Sequence, residues 1–525
     1  MDTKVLRQKV LDLAIRGKLV PQDPNDEPAS VLLERIRQQK QQMVKDGKLK
    51  AKDIKNDTII FVSEDNLHYE KFADGSVKCI EDERPFELPD GWAWSRLGAV
   101  AEAIGDGDHQ PPPQTSFGVP FLVISNVSGG RLSFENTRFV SKEYFSQLPE
   151  TRKPRNGDLL FTVTGSYGIP VLIDSDDKFC FQRHIAIVRP CTISNRYLYV
   201  ILGSSYVKSI CDAKATGTAQ KTVGLATLRE LLIPVAPYKE QMQIYAQTQD
   251  ALSIVDSVSS DKEDLLNIIE SAKTKILDLA IRGQLVPQDP TDEPASVLLE
   301  RIRAEKEELI KQGKIKRDKK ESVIFRGEDN SYYEKMADGK LHCLDNQLPF
   351  ELPDGWEWCN LSMIGTTNIG LTYRPTDIEP GGIMVLRSCN IVNDQVDLSG
   401  LVRVKTTVRE NQFAQKNDIL ICARNGSRSL VGKCALIPDL REPASFGAFM
   451  AIYRTEYFEF IVHYLRSSFF RSVFDDSNST AINQLTQDML KRAIVPLPPL
   501  SEQRRIVEAI GAMLFELNQI EKSLS

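Results

Sequence analysis

The stretch of this chain nearest to a reactive loop is GSRSLVGKC, from Gly426 to Cys434. It has the glycines and lysine of a phosphate-binding loop. However, five residues separate its glycines where four are required, and Cys434 stands where a Ser or Thr would hold magnesium. A surface turn between strands is the expected reading. Methyl transfer would call for a glycine-rich cofactor motif and a Pro-Pro tetrapeptide ending in an aromatic residue, and neither VAPY at 235 nor LPPL at 497 fits. Pro89-Asp90 and Pro353-Asp354 are not followed by the E-x-K of a nuclease centre, and Pro-Asp-Gly is itself a turn signature. The nine cysteines form no C-x-x-C pair and the five histidines are dispersed, so reduced thiols are expected and no zinc cage. Carboxylates abound without a pair standing out, and the run SSDKEDLL at 259 reads as a solvated helix face. What remains is polar and aromatic. The pairs Trp92/Trp94 and Trp356/Trp358 suit base stacking or, at their spacing in a strand, a core face shared by both rings. Gln182, Arg183 and His184 form a polar cluster inside an apolar run. Such a chain is expected to position other molecules rather than transform them.

The elements that must position these residues are duplicated. Residues 9–37 recur at 275–303 with three differences. EDNLHYEKFADGSVKC at 64 matches EDNSYYEKMADGKLHC at 328, and PFELPDGWAW at 85 matches PFELPDGWEW at 349, so all four tryptophans lie in one duplicated element. After each comes a block of strand-like runs: VPFLVISNV, GDLLFTVTGSYG and CFQRHIAIVRP in the first, IMVLRSCNI, NDILICARNGS and SFGAFMAIYRT in the second. With the short helical segments that follow them, these runs argue for two α+β domains of one fold.

Between the blocks, residues 239–283 contain no proline and no glycine before the last position. A seam runs through Ile244, Thr248, Ala251, Val255, Val258, Lys262, Leu265, Ile269, Ala272, Ile276 and Leu279, which predicts one helix of roughly 60–65 Å packed against a partner helix and holding its flanks apart. Glu502 to Leu524 lines up with the first half of this segment and the N-terminus with the second half. The repeat is therefore circularly permuted. The terminal helices are expected to lie near each other and against the central one, giving a pseudo-two-fold object. The expected boundaries are an N-terminal helix plus insertion (1–91), a first block (92–237), the central helix (238–285), a repeat of the insertion (286–355), a second block (356–499) and a C-terminal helix (500–525).

Composition, with 41% hydrophobic and 26% charged residues, is that of an ordinary folded protein. No apolar run approaches the roughly 18 residues that span a bilayer, and the amphipathic N-terminus is unlike a signal peptide, so a cytoplasmic chain is expected. The net charge of −6 counts against nucleic acid until its distribution is considered. Residues 92–237 carry 15 Lys+Arg against 12 Asp+Glu, and residues 356–499 carry 15 against 14. The acidity sits in the helices and connectors, and the blocks are free to carry local basic patches.

The constellation resembles the specificity subunit of type I restriction-modification systems. The repeated P-x-G-W strand carries the resemblance, with the turns S-N-V at 125 and S-C-N-I at 388. So do the strand-loops GDLLFTVTGS and NDILICARNGS, the closing segments IPVAPYKEQ and VPLPPLSEQ, and the helix ends LAIRGKLVPQ and LAIRGQLVPQ. These cover nearly the whole chain, twice and in register; only 46–84 and 312–348 are insertions outside them. The resemblance implies a non-catalytic reader of double-stranded DNA with two tandem target-recognition domains, separated and joined by long antiparallel helices. It implies an asymmetric, bipartite target and a dock for two methyltransferase subunits, which would bring S-adenosylmethionine. It also implies motor-nuclease subunits bringing ATP and magnesium, with no cofactor, metal or membrane for this chain itself. On that reading the base-reading candidates are loop residues with donors and acceptors. In the first block they are Ser125, Asn126, Thr164, Gly165, Ser166, Gln182, Arg183, His184, Gln220 and Lys221. In the second they are Arg387, Ser388, Asn390, Arg424, Asn425, Ser427, Arg428, Asn483 and Gln484. The competing readings are a protein-protein scaffold that never touches DNA, and a self-sufficient DNA-modifying enzyme, against which the missing cofactor motifs weigh.

Overall fold

The structure, a computed structural model, describes residues 2–218, 220–315, 317, 322–475 and 484–524. The chain divides into two units, Met1–Lys262 and Glu263–Ser525, and the division falls inside one uninterrupted 44-residue helix, Tyr238–Ile281. Each unit thus combines one chain terminus with one half of that helix, which is where the permuted repeat joins its copies.

In the first unit, the helix Thr3–Ile15 runs antiparallel to the first half of the central helix. Thr3 Oγ1 meets Ser259 Oγ at 3.4 Å, Arg7 pairs with Asp256, and beyond the helix Gln22 Nε2 donates to Glu240 Oε1 at 3.2 Å. In the second, Leu500–Leu524 runs antiparallel to the other half, with Lys273 Nζ on Glu521 Oε2 at 2.6 Å and Gln288 Nε2 on Glu502 Oε1 at 3.2 Å. Ile244, Thr248, Val255 and Ile269 are buried along the seam, and so is Leu252, next to the expected Ala251. Leu265 departs from the expected pattern: it is 37% exposed, and its neighbour Leu266 turns inward instead. The departure is local, because Ile269, four residues further on, is buried at its expected place. Thr3–Ile15 and the central helix stop at Gly17 (φ +63°) and Gly283 (φ +67°). A Cβ there would stand 2.4 Å from Pro89 Cγ or 2.5 Å from Pro353 Cγ, so glycine is required by handedness and by closeness.

Each block is built on a sheet buried on both faces. The first has the strand order Ala101–Asp106, Ile185–Pro190, Leu159–Thr162, Pro170–Leu172, all antiparallel. Alternation sends Leu159 and Phe161 into a core with Leu198 and Val207 of the following helices, and Leu160 into a second core with Leu122, Phe179 and Phe181. A three-stranded sheet of Cys180–Phe181, Val119–Leu122 and Arg138–Val140 completes the block. The second block widens the main sheet to six strands, ordered Thr366–Ile369, Met450–Arg454, Ile419–Cys422, Cys434–Leu436, Gln395–Val396, Ile391–Val392. It keeps the smaller sheet as Val402–Val404, Ile378–Leu386, Ala444–Phe446. Both hold a bidentate ion pair. Arg189 Nε and Nη2 donate to Asp158 at 2.9 and 2.8 Å, and Arg454 Nε and Nη2 donate to Asp418 at 2.6 and 2.7 Å.

The tryptophans are core, but the two of a pair do not share a face. Trp92 precedes the strand Ala93–Arg96, so strand alternation does not govern it. It lies in the main core and donates Nε1–H to Glu240 Oε2 at 3.0 Å, tying the block to its helix, as Trp356 does to Glu502 at 3.0 Å. Trp94 and Trp358 lie in separate small cores. Those cores are covered by the insertions, which fold as three-stranded antiparallel sheets: Ile59–Val62, His68–Lys71, Val77–Cys79, and Ser322–Arg326, Tyr332–Met336, Leu341–Cys343. Ile60 and Ile80 pack on Trp94, and Ile324 and Leu344 on Trp358. Among the described residues, no helix is long and apolar enough to cross a membrane.

Candidate nucleic-acid interface

At one end of the first block's main sheet, three loops and a returning segment are laced together by backbone bonds. The strand Leu159–Thr162 continues into Val163, whose N–H donates to His184 O at 2.9 Å and whose carbonyl accepts from Val223 at 2.8 Å. Gly165, at φ +71°, donates to Lys221 O at 3.1 Å, and Thr164 Oγ1 lies 3.2 Å from Thr222 Oγ1. Thr162 Oγ1 donates to Ser166 O at 2.7 Å and accepts from Ile169 N–H at 3.0 Å, which closes the T-G-S-Y-G turn. Gln182 donates its N–H to Leu122 O and Arg183 to Asp108 O, so the polar cluster is held beside the turn at Ile124–Asn126. The result is a rim on which Ser125, Gly165, Ser166, Arg183, Gln220 and Lys221 are exposed and Gln182 and His184 half-buried. Burial and the Arg183 guanidinium lower the His184 pKa from its ordinary value. Its ring is therefore neutral at neutral pH and offers one donor and one acceptor.

The second block repeats the lacing with other side chains. Ala423 and Arg424 donate their N–H groups to Phe449 O at 2.9 and 3.0 Å, and Leu485 donates to Ala423 O at 2.7 Å. Arg424 bridges to Gln484 where Thr164 bridges to Thr222. Asn425 Nδ2 reaches Ser388 Oγ at 3.5 Å, and its Oδ1 accepts Ser427 N–H at 3.0 Å. Arg424, Ser427 and Arg428 are exposed, while Arg387, Ser388, Asn425 and Gln484 are half-buried. Asn483 lies outside the described residues.

Three expected site residues do other work. Asn126 is 5% exposed, accepts Val123 N–H at 2.9 Å and donates to Glu135 O at 3.1 Å. Asn390 is 2% exposed, accepts Arg387 N–H at 3.0 Å and donates to Asp397 O and Ser399 O. Both amides are spent on holding their own turn, the common use of Asn in a tight loop. Thr164 is buried in its bridge. The loop-like stretch at 426–434 is a turn between strands, with Lys433 Nζ bonded to Ile391 O at 2.6 Å and Cys434 buried. Among the described residues, no cluster of His, Cys, Asp and Glu is placed to hold a metal. Sequence reasoning passed over Phe449. It is 61% exposed on the second rim, with the Arg424 guanidinium carbon 5.6 Å from its ring centre. The signal for it was small: an aromatic two residues after a glycine, at the point where the apolar run turns.

Comparison with known proteins agrees with this architecture. A family model described as the type I restriction modification DNA specificity domain matches residues 89–267 and 353–524, one copy for each block. The chain is similar to the type I restriction enzyme EcoAI specificity subunit of Escherichia coli, at 29% identity over 99% of this chain and 90% of that one. It is also similar to the EcoEI specificity subunit of the same organism, at 26% identity and the same coverage. A solved chain from work on complex assembly and conformational transition of the type I R-M system shares the fold, with a TM-score of 0.55 and 18% identity over 84% of this chain and 94% of that one. The duplicated blocks, the antiparallel helices and these likenesses have one conclusion: the chain belongs to the family of type I restriction-modification DNA specificity subunits, whose role is DNA sequence specificity.

Proposed function

We propose that the two rims each read one half of an asymmetric, bipartite duplex DNA target, on behalf of methyltransferase and motor-nuclease subunits that dock on this chain. The observation that carries this reading is one backbone lacing presenting two sets of tips. Gly165, Arg183 and His184 in the first block stand where Asn425, Ala448 and Phe449 stand in the second, and Arg424 is exposed where Thr164 is buried. Unlike tips on like frames imply unlike half-sites. The first rim offers Arg183, Lys221, Gln182 and a neutral His184; the second offers Arg387, Arg424 and Arg428 with Asn425 and Gln484. Arginine and lysine suit the O6/N7 edge of guanine, asparagine and glutamine the N6/N7 edge of adenine, and any of them a phosphate. This chain contributes no catalytic group. S-adenosylmethionine would be brought by two modification subunits, ATP and magnesium by the restriction subunits.

The test is methylation mapping of genomic DNA from cells with and without this chain, the modification subunit being present in both. A gapped, asymmetric adenine-methylated sequence that disappears without the chain is the expected result. A methylation pattern indifferent to the chain would overturn the reading.

A further inference from the structure

Phe449 breaks the rule that a large apolar side chain in an apolar run is core. The strand Ala444–Phe446 and the strand Met450–Arg454 are buried, yet between them this ring is 61% exposed. Its backbone is not loose. Its carbonyl accepts from both Ala423 and Arg424, and Met450 N–H bonds Gly447 O at 2.8 Å. Gly370 presses on the same loop so closely that a Cβ there would lie 2.2 Å from Gly447 O. The ring is thus projected outward from a rigid mount. Beside it the Arg424 guanidinium lies 5.6 Å from the ring centre, a cation–π distance that pairs a guanine-type donor with an apolar face. The equivalent position of the first block holds His184, so the two rims differ here in chemistry and not in frame.

Resting on the reading of the rims as DNA readers, we infer that Phe449 is a specificity-determining residue of the second half-site: it covers the C5-methyl group of a thymine in the major groove, next to the base pair met by Arg424. Among the four bases only thymine presents an apolar group on that edge, and an aromatic ring is a suitable partner for it. A polar residue at this place would read donors and acceptors instead, as His184 is placed to do.

The experiment uses the full chain assembled with its modification subunits. With F449A, methylation mapping should return an unchanged first half-site and a second half-site relaxed at one T·A position. Methylation of the native target should fall roughly 5- to 100-fold. In a synthetic duplex, replacing that thymine by uracil removes only the methyl group. Wild type should lose the same factor, and F449A should not lose it again. Because the ring is exposed, the melting temperature of F449A should match wild type. Unchanged base preference in F449A, equal use of thymine and uracil by wild type, or a clear drop in melting temperature would each overturn the inference. Substitutions at Arg424, Asn425 and Gln484 separate the two levels. If they alter the second half-site while F449A does not, only the role of Phe449 fails; if none alters it, the reading of this rim as a DNA reader fails.

Discussion

In the first unit, Arg96 closes on Glu70 with two guanidinium bonds of 2.9 and 2.6 Å; in the second, Asn360 sits at that place and reaches Glu334 Oε1 at 3.1 Å and Ser322 Oγ at 2.7 Å. Val200, fully buried in the first unit, corresponds to His463 in the second. Against these exchanges stand positions that did not change. Trp92–Glu240 and Trp356–Glu502, Asp158–Arg189 and Asp418–Arg454, and Gly17 and Gly283 keep both residue type and geometry. The unchanged positions fix a helix to a sheet or a sheet to its loops, where a wrong group leaves a buried charge unpaired or a backbone strained. The rim tips meet solvent, carry no such burden, and are free to differ between the halves. The comparison teaches that the junctions of helix, sheet and loop are kept alike in both halves, whereas single core sites such as Val200/His463 and the rim tips both differ.

The largest effect that would sharpen it comes from the ion pairs. Asp158 and Arg189 are 4% and 8% exposed at their side chains, so D158A, which leaves the guanidinium buried and unpaired, should cost about 3–5 kcal/mol. Arg454 is 33% exposed and can turn to water, so D418A should cost less, about 1–2 kcal/mol after solvent screening. Hydrogen exchange resolved by unit would check this; equal losses in both units would break the argument from burial.

Acid should next separate the halves. Burial and the nearby Arg466 push the His463 pKa down to about 4 from its ordinary 6.5. As pH falls below about 6.5 the unfolded chain takes up a proton that the folded second unit refuses, so stability is full above that pH, declines toward pH 4, and levels off below it for this group. The full loss should be about 3 kcal/mol. H463V, which installs the residue used by the first unit, should remove this slope. Denaturant melts of wild type and H463V at pH 7.5 and 4.5 test it, and identical pH slopes would refute it.

The last of the expected effects is confined to one rim. R428A should weaken DNA binding by about 1–3 kcal/mol if the side chain is bidentate to guanine, and should relax one position of the second half-site while leaving the first intact. Unchanged affinity and target would remove Arg428 from the reading surface.

Parts of the rims were legible because turns advertise themselves. T-G-S and R-N-G-S carry the glycines and small polar residues of tight turns, and the structure brings Gly165, Ser166, Lys221 and Gln182 together, as it does Ser388, Arg424, Asn425 and Gln484. Asn126 and Asn390 misled because an asparagine that caps its own turn and one that faces outward look the same in a sequence. Phe449 was hidden for the opposite reason: its flanks are core strands, and an apolar residue between them reads as core.

By itself the sequence determined the duplication, its permutation, the unbroken central helix and the two α+β blocks. These are properties of repeat and period, set by local backbone preference and by which residues avoid water. The tertiary structure alone decided where each strand stops. One residue of difference there turns a side chain from core to rim, and only the packed neighbours hold it on one side or the other. That is why Trp92 and Trp94 parted into different cores and why Phe449 faces outward.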